Sequence, residues 1–217
     1  MFLSDRDLEW AIAQGHLIVS GGTAPIEIGP TSIDLHLDKV EEAKVWDIAK
    51  FRHRNASLGH GNFPELVIGS FDYKSVAAEF QKSPKKVRRS EDAGDELVFI
   101  RGDNEVIVRP GGFVLWQTKE RVGTPEEGAQ LIGFVDGKST KARTGLLVHM
   151  TAPTIHAAWG AWPVTLEIAN LGPFHFVLKE DDAIAQLTVA TISSVPAKNM
   201  KQTGSVTSGQ TDVGIQN

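Results

Sequence analysis

The sequence predicts a mainly β protein, a sandwich or barrel, preceded by a short N-terminal helix. From residue 97 onward, short apolar or alternating runs recur at spacings of roughly 8–12 residues, separated by Gly, Pro, Asn or charged pairs. Helical periodicity is clear only near the N terminus. With 217 residues, of which 41% are hydrophobic, the chain has the size and composition of an ordinary globular protein.

The N-terminal helix is predicted over residues 5–14. Ser4 and Asp7 have the spacing of a capping box, and apolar residues follow at helical spacing as far as Gly15, which is a suitable end. The first strand is predicted in SIDLHLDKV, residues 32–40, where apolar and polar residues alternate.

Two parts of the chain lack a core pattern. Residues 41–95 mix Gly, Pro, His and charge, and they include the basic-then-acidic run PKKVRRSEDAGDE. We interpret this segment as a variable insertion or solvated loop, with a phosphate-seeking basic loop as the alternative. The C-terminal residues are rich in Gly, Ser, Thr and Gln. We therefore expect one β-barrel domain over 1–196, with the insertion around 41–95 and a flexible tail over 197–217.

Composition excludes several classes of function. The formal net charge of −5 argues against a general nucleic-acid binder, so no nucleic-acid partner is expected. The absence of cysteine excludes disulfides, thiol catalysis and Cys-ligated zinc. No stretch approaches the roughly 18 apolar residues that span a membrane, and the residues after Met1 do not resemble a signal peptide. We expect a cytoplasmic protein without a membrane partner.

A short basic turn, GKSTKARTG at 137–145, stands out in this acidic chain. Lys138, Ser139, Thr140 and Arg143 offer cationic and hydroxyl donors suited to phosphate oxygens. Each charge-assisted hydrogen bond there would contribute about 1.5–3 kcal/mol. The turn does not fit the Walker A pattern. The alternative is an ordinary solvated hairpin turn.

A carboxylate interrupts the apolar strand PVTLEIAN at 163–170. Strand alternation directs Val164, Leu166 and Ile168 to one face and Glu167 to the other. On one interpretation Glu167 is an outward-facing, solvated side chain. On the other it is a partly buried carboxylate with a raised pKa, suited to general acid–base catalysis.

The segment between the turn and this strand contains two histidines, His149 and His156. They are not accompanied by cysteine or by a matching acidic triplet, so no protein metal site is expected. The chain also lacks the G-x-S-x-G pattern of many serine hydrolases.

Several segments together resemble one known family. GKSTKARTGLLVHMTA resembles the dCTP deaminase signature G-R-S-S-x-A-R-x-G-L-x-x-H-x-T-A, and TIHAAW followed by VTLEIAN resembles I-D-P-G-[WF] followed by L-E-x-x-N. LSDRDLEWAIAQGHLIV, GPTSIDLHL, RPGGFVLWQTKERVGTP and FVLKEDDAIAQLTV match further family motifs, in the family's order. The sequence is identified as a diverged member of the dCTP deaminase family, within the dCTP deaminase/dUTPase superfamily.

The resemblance implies a distorted, dUTPase-like jelly-roll barrel and a homotrimer with active sites at subunit interfaces. It implies a metal-free protein site for a nucleoside triphosphate, dCTP, with Mg²⁺ bound through the phosphates. Position by position, the implied catalytic residues are Glu167, Ser139 and Arg143, and the implied substrate-binding residues are Lys138, Ser139, Thr140, Arg143, Thr151 and Ala152.

The implied activity is zinc-independent hydrolytic deamination of dCTP to dUTP with release of ammonia. The chain departs from the family at several positions. Lys138 replaces an arginine, and His156 replaces the aspartate that activates water for pyrophosphate release in the dUTPase branch. The only tyrosine is Tyr73, so the usual tail tyrosine is missing. These departures leave two alternatives open: a deaminase of another pyrimidine nucleotide, or a non-catalytic nucleotide-binding regulatory protein.

Overall fold

The computed structural model describes residues 1–22, 25–50 and 66–198, and the chain is mainly β. No helix in these parts of the chain has the length and apolar character needed to cross a bilayer. The α-helices are α1 (Asp5–Ala13), α2 (Tyr73–Phe80) and α3 (Ser139–Ala142). The strands are β1 (Ile18–Ser20), β2 (Ile33–His36), β3 (Val45–Trp46), β4 (Gln81–Lys82), β5 (Lys85–Val87), β6 (Val98–Arg101), β7 (Glu105–Val108), β8 (Phe113–Thr124), β9 (Leu131–Gly137), β10 (Leu146–Leu147), β11 (Thr154–Ile155), β12 (Gly160–Asn170), β13 (Phe176–Leu178) and β14 (Ala183–Thr191).

Three four-stranded sheets surround one main core. Their strand orders are β1-β8-β12-β10, β11-β9-β14-β2 and β13-β7-β6-β5, and β3 pairs with β4 beside them. The core joins fully buried residues of different sheets, among them Leu35, Trp116, Ile168 and Leu187. Side chains on the opposite faces of these strands therefore point away from the core. Polar groups on these outer faces can contact a ligand.

Helix α1 begins as the sequence predicts. The Asp7 carboxylate accepts a hydrogen bond from the Ser4 backbone N–H at 3.2 Å, while the Ser4 hydroxyl oxygen accepts one from the Asp7 backbone. This reciprocal cap satisfies donors that would otherwise be unpaired at the helix start. Leu8 is buried against the core. Gly15 has φ +72°, a conformation that ends the helix and that glycine adopts without strain.

Strand β12 shows the predicted alternation. Leu166 and Ile168 are fully buried in the main core, so Glu167 points to the other face. Its register partner is Leu115 on β8. Because directly opposed residues share a face of a sheet, Glu167 and Leu115 both lie on the outer face of this sheet.

The described parts of the segment 41–95 contain short elements of regular structure, although most of their residues are exposed, and their assignment as a variable insertion stays a prediction. Lys44 forms a β-bridge with Leu115, which attaches β3 to the edge of β8. Helix α2 buries Ala77 and Phe80. Such short elements carry too few residues for a periodic signal to show in the sequence.

The predicted domain boundaries at 1–196 and 197–217 stay predictions. Residues 199–217 lie outside the described residues, as do 51–65 of the predicted insertion.

Candidate active site

Glu167 borders a cleft of about 290 Å³ on the outer face of β12. Its side chain is half-buried, and its Oε2 accepts a hydrogen bond from the Met150 backbone N–H at 3.2 Å. His149, Ala152 and His156 line the facing wall. The carboxylate therefore belongs neither to the core nor to the open surface, and its remaining lone pairs can reach a molecule in the cleft.

Two polar side-chain atoms at this cleft, His149 Nδ1 and Thr165 Oγ1, are buried and have no hydrogen-bond partner among the described residues. The other ring nitrogen of His149 lies 3.7 Å from the Asp136 carboxylate. Buried polar atoms in native proteins are nearly always paired. The cleft thus retains hydrogen-bonding capacity that the described residues do not use.

The predicted basic turn forms the short helix α3 together with Lys138 and Arg143 on either side. Lys138 Nζ donates to Asp34 Oδ2 on β2, and Lys141 Nζ donates to the Ala183 carbonyl oxygen on β14. Burial lowers the pKa of the Lys141 ammonium. Both lysines therefore anchor the turn to the barrel, and they are not free cations as the sequence had suggested.

The exposed side of the turn carries Ser139, Thr140 and Arg143. Within the described part of the chain, the Arg143 guanidinium has no hydrogen bond or ion pair. The turn is held at its far end by a close backbone approach, since a Cβ at Gly172 would lie 1.9 Å from the Thr144 carbonyl oxygen. An exposed guanidinium without a partner among the described residues is suited to bind phosphate oxygens that arrive from outside the chain.

The predicted site residues fall in two places. Glu167 and Ala152 line the cleft, while Thr151 is exposed on the same loop without lining it. The remaining predicted residues belong to the basic turn, and none of them lines the cleft: Lys138, Ser139, Thr140 and Arg143. Among the residues that the structure describes, no group of three or more His, Asp or Glu side chains is arranged to hold a metal ion.

Comparison with known proteins places this chain in a family. The family model described as "DCD: dCTP deaminase-like" matches residues 70–192, which is more than half of the 217-residue chain. The chain belongs to the dCTP deaminase-like family.

Named members of this family are similar to the chain over most of its length. The dCTP deaminase of Haloarcula marismortui is 31% identical over 195 residues, covering 89% of this chain and 82% of its own. A protein of Corynebacterium kroppenstedtii named "dCTP deaminase, dUMP-forming" is 31% identical over 206 residues, covering 95% of this chain and 89% of its own.

The fold agrees with the family. The crystal structure of a 2'-deoxycytidine 5'-triphosphate deaminase from Agrobacterium tumefaciens matches with a TM-score of 0.54 at 14% sequence identity. The match covers 88% of this chain and 48% of the other, so this chain spans about half the length of that protein. The similarity confirms the predicted mainly β fold of the dCTP deaminase type.

Two groups near the cleft of this dCTP deaminase-like chain were not predicted. One is Thr165, which strand alternation places on the same face as Glu167 and which the sequence pattern could have revealed. The other is Tyr73 on α2, whose phenol oxygen accepts a hydrogen bond from Gln81 Nε2 at 3.1 Å. Burial raises the pKa of Tyr73, the Gln81 hydrogen bond opposes this, and the negative charge of Glu167 raises it further. Tyr73 therefore lies within electrostatic range of the carboxylate, although no local sequence pattern connects the two.

Proposed function

We propose that this protein catalyses the hydrolytic deamination of dCTP to dUTP, with release of ammonia and without a protein-bound zinc ion. The observation that carries the proposal is the half-buried Glu167 carboxylate, which borders the cleft on the outer face of β12. Membership of the dCTP deaminase-like family supports the choice of reaction and substrate.

Glu167 supplies the proton transfers that the reaction needs. Water adds at C4 of the cytosine ring while a proton is delivered to N3. The amino group then leaves as ammonia, and C4 becomes the carbonyl carbon of uracil. A single carboxylate that carries a proton from water to N3, and then carries the proton of the C4 hydroxyl to the departing amino group, can serve both steps. Ser139 and Arg143 are assigned to orient the water and to stabilise the charge that develops on it.

The proposed site lies between subunits of a homotrimer. In one chain the basic turn does not line the Glu167 cleft, yet its exposed face presents Ser139, Thr140 and Arg143, whose side chains have no hydrogen bond to the residues that the structure describes. Closed symmetric oligomers with head-to-tail interfaces bring one face of a subunit against a different face of the next. The turn of one subunit would then bind the triphosphate while the cleft of its neighbour holds the base, with Thr151 and Ala152 beside it.

Mg²⁺ enters this proposal as a partner of the substrate. The described residues offer no cluster of three ligands for it, so the triphosphate oxygens are its proposed ligands. There it would neutralise part of the phosphate charge. Lys138, already paired with Asp34, would add positive charge close to the phosphates without the bidentate geometry of arginine.

A second candidate product is dUMP, because several similar proteins are named dUMP-forming. The residue that argues against it is His156, which lines the cleft where the family resemblance leads us to expect an aspartate. A carboxylate at that position could activate water for attack on the phosphate chain, whereas histidine offers a different charge and reach. We therefore assign the reaction to dUTP formation alone.

The test is to incubate the purified protein with dCTP, dUTP and CTP in the presence of Mg²⁺, and to measure ammonia and pyrophosphate separately. Ammonia from dCTP without pyrophosphate supports the proposal. Pyrophosphate from dCTP or dUTP would contradict the role assigned to His156. Nucleotide-dependent thermal stabilisation without any product would identify a binding protein instead.

A further inference from the structure

The loop between β11 and β12 contains a strained residue beside the Glu167 cleft. Ala158 has φ +60°, in the left-handed region that residues other than glycine rarely adopt, because the Cβ atom then crowds the backbone. In the family motif I-D-P-G-[WF], which this loop resembles, glycine stands at the position of Ala158. Glycine adopts this conformation without strain, so in this chain another interaction must hold Ala158 there.

Thr124, the last residue of β8, supplies that interaction. Its side chain is buried, and its hydroxyl oxygen accepts a hydrogen bond from the Ala158 backbone N–H at 2.8 Å. Thr124 is also the register partner of Gly160, the first residue of β12. Strand pairing therefore fixes the backbone that carries the hydroxyl next to the loop, and the loop is held by a residue that lies 34 positions away in the sequence.

The strained loop forms part of the cleft wall. His156 and Trp159, on either side of Ala158, both line the cleft. The Trp159 carbonyl oxygen accepts a hydrogen bond from Trp162 Nε1 at 3.1 Å, and β11 pairs with β9 just before the loop. Both ends of the loop are thus attached to strands. If Ala158 relaxed to a negative φ, His156, Trp159 or both would have to move, because the backbone angles of Ala158 set their relative positions.

We propose that Thr124 is a positioning residue of the nucleotide site: its hydroxyl holds Ala158 in the left-handed conformation and thereby fixes the cleft wall against the nucleotide. This inference rests on the proposed function and adds to it a residue that does not itself contact the substrate. Glu167 is carried by the paired part of β12, opposite Leu115, and does not depend on the loop. Loss of the Thr124 hydroxyl should therefore change KM more than kcat.

The substitution Thr124→Val keeps the β-branched shape and removes only the hydrogen-bond acceptor. The melting temperature should fall by about 2–6 °C, because the Ala158 N–H loses its partner. The KM for dCTP should rise about three- to tenfold, the range expected for one neutral hydrogen bond, while kcat changes by less than about twofold. Thr124→Ser, which keeps the hydroxyl, should have a KM within about twofold of the wild type.

The substitution Ala158→Gly tests the link to backbone strain, because glycine keeps φ near +60° without help from the hydroxyl. When Ala158→Gly is present in both of the proteins compared, Thr124→Val should raise the KM for dCTP by less than about twofold. The same KM ratio with and without Ala158→Gly would show that the hydroxyl does not act through the strained residue, and it would overturn the inference.

Ser4→Ala is the matched control for stability. The Ser4 hydroxyl oxygen also accepts a hydrogen bond from a backbone N–H, that of Asp7 in α1, and Ser4 does not line the cleft. Its loss should lower the melting temperature by about 2–4 °C and leave the KM for dCTP within about twofold of the wild type. A KM increase in Ser4→Ala as large as that in Thr124→Val would show that KM follows overall stability, and it would refute the role of Thr124.

Affinity for dCTP with Mg²⁺, measured by calorimetry in Glu167→Gln with and without Thr124→Val, separates this inference from the proposed function. If the wild type deaminates dCTP but Thr124→Val lowers only the melting temperature and leaves KM and affinity unchanged, the positioning role is refuted and the function stands. If the wild type binds dCTP without turnover and Thr124→Val weakens that binding, the function is wrong and the role of Thr124 holds. A protein that binds no nucleotide overturns both.

Discussion

The substitution Glu167→Gln separates the chemistry of the carboxylate from its place in the fold. Glutamine has nearly the same volume, and its amide oxygen can still accept the hydrogen bond from the Met150 backbone N–H that Glu167 Oε2 accepts at 3.2 Å. The free energy of unfolding therefore falls only by the difference between a charged and a neutral hydrogen-bond acceptor, about 1 kcal/mol. For a chain of this size, that lowers the melting temperature by about 2–4 °C.

The effect on catalysis should be much larger. An amide cannot take a proton from water, and a positioned general acid–base contributes about 10²- to 10⁴-fold to a rate. Ammonia release from saturating dCTP should therefore fall by about that factor in Glu167→Gln, while dCTP affinity by calorimetry changes little. Glu9→Gln, at an exposed position on α1, is the control and should retain wild-type activity. A Glu167→Gln protein with kcat within about tenfold of the wild type would refute the assignment of proton transfer to this carboxylate.

Two further predictions concern groups outside the proposed reaction. In Glu120→Ala, the buried His36 loses its two contacts with the Glu120 carboxylate, from its backbone N–H and from Nδ1, each at 2.8 Å. Urea denaturation should show that the free energy of unfolding falls by about 2–5 kcal/mol. A decrease below about 0.5 kcal/mol would show that the pair is not structural. Burial raises the pKa of Tyr73 above its ordinary 10.0, so the folded state holds the phenol proton more tightly than the unfolded state does. The stability of the folded protein is therefore unaffected by this group below about pH 10, and it decreases as the pH rises through the raised pKa. Tyr73→Phe should therefore lose less stability than the wild type between about pH 9 and about pH 11, and equal losses would contradict the burial of the phenol.

The parts of the fold that depend on local pattern were predictable from sequence. The capping residues Ser4 and Asp7 fix the start of α1 through contacts within one helical turn. Alternation along β12 separates Glu167 from the core because the side-chain period of a strand is two. These predictions hold because the interactions that decide them lie close together in the chain.

The parts that depend on tertiary contact were not predictable. The basic turn looked like a set of free cations, but Lys138 pairs with Asp34, which lies 104 residues away in the sequence. The segment 41–95 looked like a loop, but the bridge between Lys44 and Leu115 joins its beginning to the sheet that carries Glu167. In both cases the partner is distant in sequence, so no periodicity or spacing could show it.

In the proposed enzyme, the Glu167 cleft of one subunit and the Arg143 turn of the next form one active site. Coexpression of Glu167→Gln and Arg143→Ala chains with two different affinity tags, followed by purification of the mixed oligomers, tests it directly. Each variant alone should be nearly inactive, but every mixed homotrimer, whether 2:1 or 1:2, contains one site of three in which both residues are intact. We expect the purified mixed oligomers to release ammonia from dCTP at about a third of the wild-type rate per site. A rate no higher than that of the two parent variants would contradict it.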